Sequence, residues 1–299
     1  MASHSKLAAH IVAFVVIVIW GSTFAFTKLL LLSGLSPAHI FTLRFIMAYA
    51  MLLLFSLFSG KTRWRSHSLR DELLLLALGV TGGSLYFLTE NEALNYTTTT
   101  NVSLIVCSCP LVAAVLIGLF YRSERMNTMQ VVGSLMAVMG VAAVVLNGHF
   151  VLHLSPAGDA LALAANLCWA FYSLLMIPMN KRYDSLFITR RVFFYGLITM
   201  IPYYLLVPDL PHIEALTKPA VIGNLLFLGI VASGICFLAW TWVMRRLGAM
   251  IATNYVYVNP LATILVSWLM LSEPVTPFFL IGAALILVGM FLADRKSTK

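Results

Sequence analysis

Residues 97–140 read TTTTNVSLIVCSCPLVAAVLIGLFYRSERMNTMQVVGSLMAVMG, and this stretch decides the fold. Its first apolar segment carries Pro110 in the middle and ends at Glu124, and its second carries Gly133 and Gly140. The same pattern returns 149 or 150 residues later, at Pro260, Glu273, Gly282 and Gly289. A repeat of that length predicts a duplicated, domain-sized unit. We assign residues 1–150 to the first copy and residues 151–299 to the second.

The composition of the chain is that of a membrane protein. Of its 299 residues, 61% are hydrophobic and only 10% are charged, whereas an average soluble domain is about 25% charged. The mean hydropathy is +0.95. Apolar runs of about 20 residues recur, which is typical of transmembrane helices, and they lack the strict alternation of an outer-membrane barrel.

The charged residues and the cysteines exclude two other classes of partner. The net charge of +8 does not indicate nucleic-acid binding, because the basic residues lie in short loops between apolar runs. The four cysteines lie inside apolar runs without ligand-like spacing, so we expect them to pack in the core and predict no metal site. Gly60-Lys61-Thr62 ends like a nucleotide-binding loop but lacks its first glycine, so we expect no ATP site and no cofactor.

The apolar runs predict an all-helical, polytopic protein with ten transmembrane helices. Their ranges are 8–32, 37–58, 71–91, 97–121, 127–147, 157–178, 186–207, 219–242, 248–271 and 276–293. This arrangement places 16 of the 19 basic residues on the side of both termini. Since basic loops stay cytoplasmic, we expect a multi-pass inner-membrane protein with both termini inside the cell.

The number of helices in each copy determines how the copies are related. Each copy has five predicted helices, which is an odd number, so the second copy enters the membrane inverted. Inverted repeats are typical of secondary transporters, which hold their substrate near the middle of the membrane between the repeats.

Several motifs resemble the EamA-type family of the drug/metabolite transporter superfamily. The opening motif is Trp20-Gly21-Ser22-Thr23-Phe24, followed by Lys28, Pro37 and Arg44. The first-repeat signature is Ala93-Leu94-Asn95-Tyr96-Thr97, followed by Pro110, Glu124, Gln130 and Gly133. The second is Leu247-Gly248-Ala249, followed by Pro260, Glu273 and Gly282. The resemblance implies ten helices in two inverted repeats and transport, commonly export, of small metabolites. It does not imply one substrate.

Three charged residues inside predicted helices are candidates for coupling or ion pairing. A charge in a spanning helix is costly, so it usually faces a cavity or a partner. Lys28 is close enough to its helix end to reach the interface instead. Arg44 lies deeper, and we expect it to form an ion pair with Glu90. That pair would be structural, or Glu90 would carry a proton.

Aromatic and amide side chains form the predicted substrate site. Trp20 and Trp169 lie 149 residues apart, at matching points of the two repeats. Pro260 breaks a helix and exposes backbone carbonyls, and transporter sites are often built at such breaks. The other candidates are Asn101, Tyr172, Asn254, Tyr257 and Asn259. The glycines at seven-residue spacing predict close helix packing.

The combined expectation is a secondary transporter that works by alternating access and exports amino acids or related compounds. A nucleotide-sugar carrier of the same superfamily is an alternative, and it should have a more basic cavity. A membrane-embedded lipid-modifying enzyme is another, and it would need clustered Asp, His or Glu inside the helices. We expect no catalytic residues, with a small-molecule substrate and the bilayer as partners. Proton coupling, substrate counter-transport and a homodimer stay open.

The predicted orientation can be tested by labelling introduced cysteines with an impermeant reagent. We expect residues 61–70 and 181–184 to react from the cytoplasmic side and residues 208–218 from the outside, because the basic loops stay inside. Labelling of any of these loops from the opposite side would contradict the inverted arrangement.

Overall fold

The computed structural model describes residues 2–59, 63–96, 102, 105–121, 126–146, 155–207, 211, 213–262, 265–266 and 277–294. All regular elements within these ranges are helical. The first half contains α1 (Ala2–Leu32), α2 (Pro37–Ser59), α3 (Leu69–Gly79), a π-helical segment (Val80–Ser84), α4 (Leu85–Tyr96), α5 (Cys109–Phe120) and α6 (Thr128–Leu146).

The second half begins with the long helix α7. Its elements are α7 (Pro156–Arg182), α8 (Ser185–Ile198), α9 (Ile201–Leu206), α10 (Ile213–Leu216), α11 (Pro219–Leu226), a π-helical segment (Phe227–Ile235), α12 (Cys236–Leu247), α13 (Ala249–Asn254), a 3₁₀ turn (Tyr255–Val258) and α14 (Pro277–Asp294).

The lengths of the helices are those of a membrane protein. Within the described ranges, five stretches are long and apolar enough to cross a bilayer: Lys6–Leu32, Pro37–Phe58, Leu69–Ala93, Pro156–Arg182 and Pro219–Leu247. Shorter apolar helices accompany them. The predicted helical, polytopic class is therefore confirmed. The count of ten stays a prediction, because the predicted helices 97–121 and 248–271 run into residues outside the described ranges.

Local sequence signals fix several helix ends. Ser68 caps α3, where its hydroxyl accepts a hydrogen bond from the Asp71 backbone N–H at 3.2 Å. Asp184 caps α8 in the same way, through the Phe187 N–H at 2.9 Å. Both are residue types that cap helices well. Gly34 and Gly248 have φ of +91° and +88°, so each provides the left-handed residue that ends a helix.

Helices of the two halves pack in matching pairs. α1 packs on α12, and α7 packs on α4. α2 packs on the π-helical segment of the second half, while α8 packs on α3. In each case, the first or second helix of one predicted repeat packs on the third helix of the other repeat. The halves are therefore interleaved, and the central space is lined by both.

Four glycines allow α6 and α14 to approach backbone to backbone. A Cβ on Gly289 would lie 2.5 Å from the Gly133 carbonyl oxygen, and one on Gly133 would lie 2.5 Å from the Ala293 nitrogen. Gly140 and Gly282 face each other equally closely. The predicted packing role of these glycines is confirmed.

We therefore expect Gly289→Ala to destabilise the protein, because its methyl group would collide with the rigid backbone of α6. Overpacking of this kind typically costs about 1–3 kcal/mol. The measurement is the Tm in detergent. Gly223→Ala is the matched control, since nothing lies within 4 Å of a Cβ at that position. An equal Tm for the two variants would contradict the close contact.

Candidate functional site

A cavity that is lined by residues of both halves lies between them, so the halves are not solidly packed there. It extends from the middle of α1, at Trp20, toward the end of the bundle where α1 turns into α2 at Ser33–Ser36. The first half contributes Trp20, Thr23, Phe24, Thr27, Arg44 and Glu90, among others. The second half contributes Trp169, Phe237, Val256 and Asn259.

Aromatic rings form the deep wall of this cavity. The Trp20 and Trp169 rings meet edge to face with centroids 5.5 Å apart, so the two predicted counterparts touch each other. Phe237 lies 5.2 Å from Trp20, and Tyr86 lies 5.2 Å from Trp169. The Trp20 indole N–H donates to the Ala232 carbonyl at 2.8 Å. We call Trp20, Trp169, Tyr86, Phe87 and Phe237 the aromatic wall.

Arg44 and Glu90 both line the cavity, but they are held by separate neutral partners. Arg44 is 3% exposed; its Nε donates to the Ser233 hydroxyl at 2.8 Å, and its guanidinium carbon lies 4.5 Å from the Phe87 ring centroid. Glu90 is 7% exposed and accepts a hydrogen bond from the Tyr86 hydroxyl at 2.7 Å.

The direct ion pair expected between Arg44 and Glu90 is therefore not formed among the described side chains. Ser233 holds the arginine against the second half, whereas Tyr86 holds the carboxylate one turn back on its own helix. The two charges still interact electrostatically. They face one cavity instead of closing on each other.

The other predicted site residues are dispersed. Asn259 lies on the cavity wall beside Trp20 and Trp169. Tyr172 is buried behind the wall, with its ring against Gly82, and Tyr257 and Asn254 are buried away from the cavity. Asn101 and the Lys28 side chain lie outside the described residues.

The sequence pattern missed several wall residues that helical spacing would have found. Trp20, Thr23, Phe24 and Thr27 lie on one face of α1, and Tyr86, Phe87, Glu90 and Asn91 lie on one face of α4. In α1 these residues have the spacing i, i+3, i+4, i+7, which marks one face of a helix, and in α4 they form two i, i+4 pairs on adjacent positions. Both stripes mix aromatic and polar residues, which is unusual for a surface that faces lipid.

The helix that carries Pro110 is broken next to the cavity, and a buried amide satisfies the break. The Asn166 Nδ2 donates to the Ile105 carbonyl at 2.5 Å and to the Ser108 hydroxyl at 2.9 Å. Cys109, directly after the break, lines the cavity. Because water does not reach the bilayer core, a freed carbonyl there needs a partner from the protein.

At the opposite end of the bundle, charged and phenolic side chains join the two halves. Asp71, which is 1% exposed, forms an ion pair with Arg182 and accepts a hydrogen bond from the Tyr183 hydroxyl at 2.8 Å. Glu72 accepts from the Tyr195 hydroxyl at 2.5 Å and pairs with Arg191 at 3.1 Å. We call these six residues the latch. They join the start of α3 to the end of α7 and to α8.

Tyr183 is the centre of the latch. Its hydroxyl accepts a hydrogen bond from the His67 backbone N–H at 2.6 Å while donating to Asp71. Burial raises the pKa of the Tyr183 phenol, so the hydroxyl stays protonated and remains a donor. Its ring stacks on Phe187 at 4.7 Å. The carboxylate of Asp71 is thus partnered by Arg182 and Tyr183 of the second half.

The loop before α3 is fastened to the same place. Arg190 donates to the Arg63 carbonyl at 2.6 Å, and its guanidinium carbon lies 4.2 Å from the Trp64 ring centroid. Arg191 donates to the Trp64 carbonyl at 2.7 Å. The loop and the latch together form a cap over this end, whereas the cavity extends toward the other.

Comparison with known proteins assigns the family. A model described as the EamA-like transporter family matches residues 7–146 and again residues 156–293. This chain belongs to the EamA-like transporter family. The resemblance read from the sequence motifs is confirmed, and the membrane protein described above is a transporter by family.

Related transporters match between about three quarters and nearly all of the chain. An "Uncharacterized transporter" from Archaeoglobus fulgidus is 26% identical over 96% of this chain and 98% of its own length. A "Probable terminal-alkyne amino-acid exporter" from Streptantibioticus cattleyicolor is 27% identical over 76% of this chain and 75% of its own. A solved crystal structure, 18% identical, covers 96% of this chain and 97% of its own with a TM-score of 0.75, which supports the fold.

The open direction of the cavity in this EamA-like transporter can be tested with one cysteine. In a variant whose four native cysteines are replaced by alanine, we expect Thr23→Cys to react with an impermeant thiol reagent from the face that carries Ser33–Ser36. Position 23 lines the cavity, and the latch blocks the opposite route.

Ala170→Cys is the matched control for this labelling, because Ala170 is 0% exposed and packs in the core. It should stay unlabelled from both faces. Reaction of Thr23→Cys from the face that carries Ser68 would reverse the assignment of the open end.

Proposed function

We propose that this protein is a secondary transporter that exports amino acids or related small metabolites across the inner membrane by alternating access. The proposal rests on a difference between the two ends of the bundle: one carries the cavity and the other carries the latch. Both halves of the chain line the cavity, and the same halves are fastened together at the opposite end by the latch. A bundle of this form changes access by closing one end and releasing the other.

Three observations support an inverted relation between the halves, with five helices in each. The family model matches residues 7–146 and residues 156–293 separately. The helix contacts between the halves are reciprocal: the first helix of each repeat packs on the third helix of the other, as α1 does on α12 and α7 on α4. Trp20 and Trp169, predicted counterparts, meet at the cavity wall. Two similar units that meet at matching points have the symmetry from which transporters derive two access states.

The latch has the properties of a gate that holds one state and can still open. Asp71 is buried, yet its partner Arg182 is half exposed. Water can therefore replace the protein on the arginine side of the pair when the end opens. A fully buried pair would be harder to separate, because removing one partner typically costs about 3–5 kcal/mol. The latch is therefore suited to repeated opening and closing.

The two alternative functions are less well supported by the cavity. A nucleotide-sugar carrier needs cations for its phosphates, but Arg44 shares the described cavity wall with the anionic Glu90. A membrane-embedded lipid-modifying enzyme would need clustered Asp, His or Glu inside the helices, and within the described residues no group of three His, Cys, Asp or Glu is placed to hold a metal. Export as the direction follows the printed name of the relative from Streptantibioticus cattleyicolor.

The test of this function is transport by the purified protein in proteoliposomes. We expect efflux or uptake of at least one member of a panel of amino acids and related metabolites, and we expect the rate to depend on the latch. Arms with and without a pH gradient separate proton coupling, for which Glu90 is the candidate, from counter-transport of a second substrate. Absence of transport across the whole panel under both conditions would contradict the function.

Asp71→Asn tests the gate in the same vesicles. It leaves Arg182 without its anion, so we expect the latched end to open more often. Leu75→Cys reports this opening, because Leu75 is 0% exposed one turn below Asp71. Its labelling from the Ser68 face should rise several-fold in the Asp71→Asn background. The control is Glu214→Gln, because Glu214 is an exposed carboxylate outside the latch. Equal labelling of Leu75→Cys in the two backgrounds would contradict a gating role for the latch.

A further inference from the structure

The cavity contains polar groups that the protein itself does not satisfy. Arg44 uses Nε on Ser233, and no other hydrogen bond or ion pair to a described residue holds its two terminal nitrogens. Glu90 uses Oε1 on Tyr86, and its Oε2 has no partner among the described residues. Asn91 Nδ2 and Trp169 Nε1 are also buried and have no hydrogen-bond partner in the described part of the chain. All four residues line the cavity.

These groups differ in the chemistry that they require of a ligand. Arg44, Asn91 and Trp169 offer N–H donors, so their partner must be an acceptor. Glu90 offers an acceptor oxygen, so its partner must be a donor. Asn91 and Trp169 are 4% and 6% exposed, and buried polar groups in folded proteins are normally paired. A ligand that satisfies the site therefore carries an acceptor group and a donor group.

We infer that the cavity binds a zwitterion with an apolar side chain, with Arg44 holding the carboxylate, Glu90 holding the ammonium group and the aromatic wall holding the side chain. This assignment rests on the proposed transport function and narrows its substrate class. It also gives the two charged residues separate roles in substrate recognition.

The geometry of Arg44 suits a carboxylate. A guanidinium presents its terminal N–H groups as a planar fork that matches two carboxylate oxygens. The Ser233 hydroxyl and the Phe87 ring hold the guanidinium in place from the other directions. A fixed fork loses less conformational entropy on binding than a mobile one, so this arrangement is prepared for its ligand.

The charge balance of the cavity selects a zwitterion over a simple acid or a simple amine. The described wall carries one basic side chain, Arg44, and one acidic side chain, Glu90. A carboxylic acid without an amine would pair with Arg44 and leave Glu90 uncompensated beside a second anion. An amine without a carboxylate would leave Arg44 uncompensated. In a site removed from water, an unpaired charge is the costly outcome, and only the zwitterion leaves none.

The rest of the wall determines the side chain. Beyond the charged pair, the lining is mainly aromatic and aliphatic, with Trp20, Trp169 and Phe237 in mutual contact. Small-molecule pockets are commonly apolar with a few polar groups that fix orientation. A charged side chain would lie against these rings without a counter-ion, so neutral apolar side chains are preferred.

The test uses two sets of compounds that differ only in their charged groups. The first is L-leucine, 3-methylbutylamine and 4-methylpentanoate, and the second is L-phenylalanine, 2-phenylethylamine and 3-phenylpropanoate. Binding to the purified protein is measured by isothermal titration calorimetry, and transport is measured by competition in proteoliposomes. We expect each amino acid to bind about tenfold or more tightly than either analogue, as for loss of a hydrogen bond to a charged group. L-Lysine and L-glutamate should bind weakly.

Variants assign the groups. Arg44→Gln should weaken binding of the amino acid and of the acid about tenfold or more and leave binding of the amine unchanged. Glu90→Gln should weaken binding of the amino acid and of the amine and leave binding of the acid unchanged. Lys181→Gln, an exposed residue far from the cavity in the chain's fold, is the control and should change nothing. The comparison of compounds on the unaltered protein needs no variant, so it decides the question even where a variant folds poorly.

The outcomes separate this inference from the transport function. Equal binding of an amino acid and its amine or acid analogue, or preference for either analogue, would overturn the zwitterion assignment while the transporter function stands. Transport of a metabolite that lacks either group, with no binding of the amino acids, would do the same. Tighter binding of L-lysine or L-glutamate would overturn the apolar assignment. Absence of any transport would remove the proposed function itself.

Discussion

The constraint on which this structure depends is that a charge inside a bilayer needs a partner within the protein. The two ends of the bundle meet this constraint differently. At the latch, the buried carboxylate of Asp71 receives Arg182, Tyr183 and its own helix cap. At the cavity, Arg44 and Glu90 each receive one neutral hydroxyl. The Asp71 carboxylate thus has several partners, whereas Arg44 and Glu90 have one hydrogen-bond partner each, so the cavity is where a ligand can add further partners.

The departures from regular α-helix lie where these groups are placed. Ser233, which holds Arg44, and Ala232, which accepts from Trp20, both belong to the π-helical segment Phe227–Ile235. The corresponding segment of the first half, Val80–Ser84, gives Tyr172 room against Gly82. π-helical turns often occur at functional sites, because they redirect side chains and backbone groups. Here they bring partners from distant parts of the chain to the cavity wall.

The sequence was sufficient for the features that depend on pattern along one helix. Hydropathy predicted the helical membrane class, the seven-residue glycine spacing predicted close helix packing, and the motif order predicted the family. Trp20 and Trp169 reach the cavity wall as their matched positions suggested. Whether they bind substrate stays a prediction.

The sequence was insufficient where a residue chooses between neighbours on different helices. The predicted direct ion pair between Arg44 and Glu90 is not formed in the structure. Ser233, which lies 189 positions from Arg44 in the chain, binds the guanidinium from another helix instead. Tyr172 and Tyr257 were predicted to bind substrate, but both pack in the core and neither is among the residues that line the cavity. The latch was not foreseen, because its basic residues were read only as markers of membrane orientation.

The latch also makes the two ends of the proposed repeat pair unequal. At the repeat offset of 149, the positions of Asp71 and Glu72 correspond to Ala220 and Val221, and those of Arg182 and Arg191 correspond to Ser33 and Thr42. The end that carries the cavity therefore has no charged counterpart of the latch at these positions. In the proposed alternating-access cycle, closure at these positions would rest on apolar packing and on the substrate itself. A zwitterion that bridges Arg44 and Glu90 would draw the walls together where the chain lacks its own ion pairs, and the energy gained there could offset the loss of the latch.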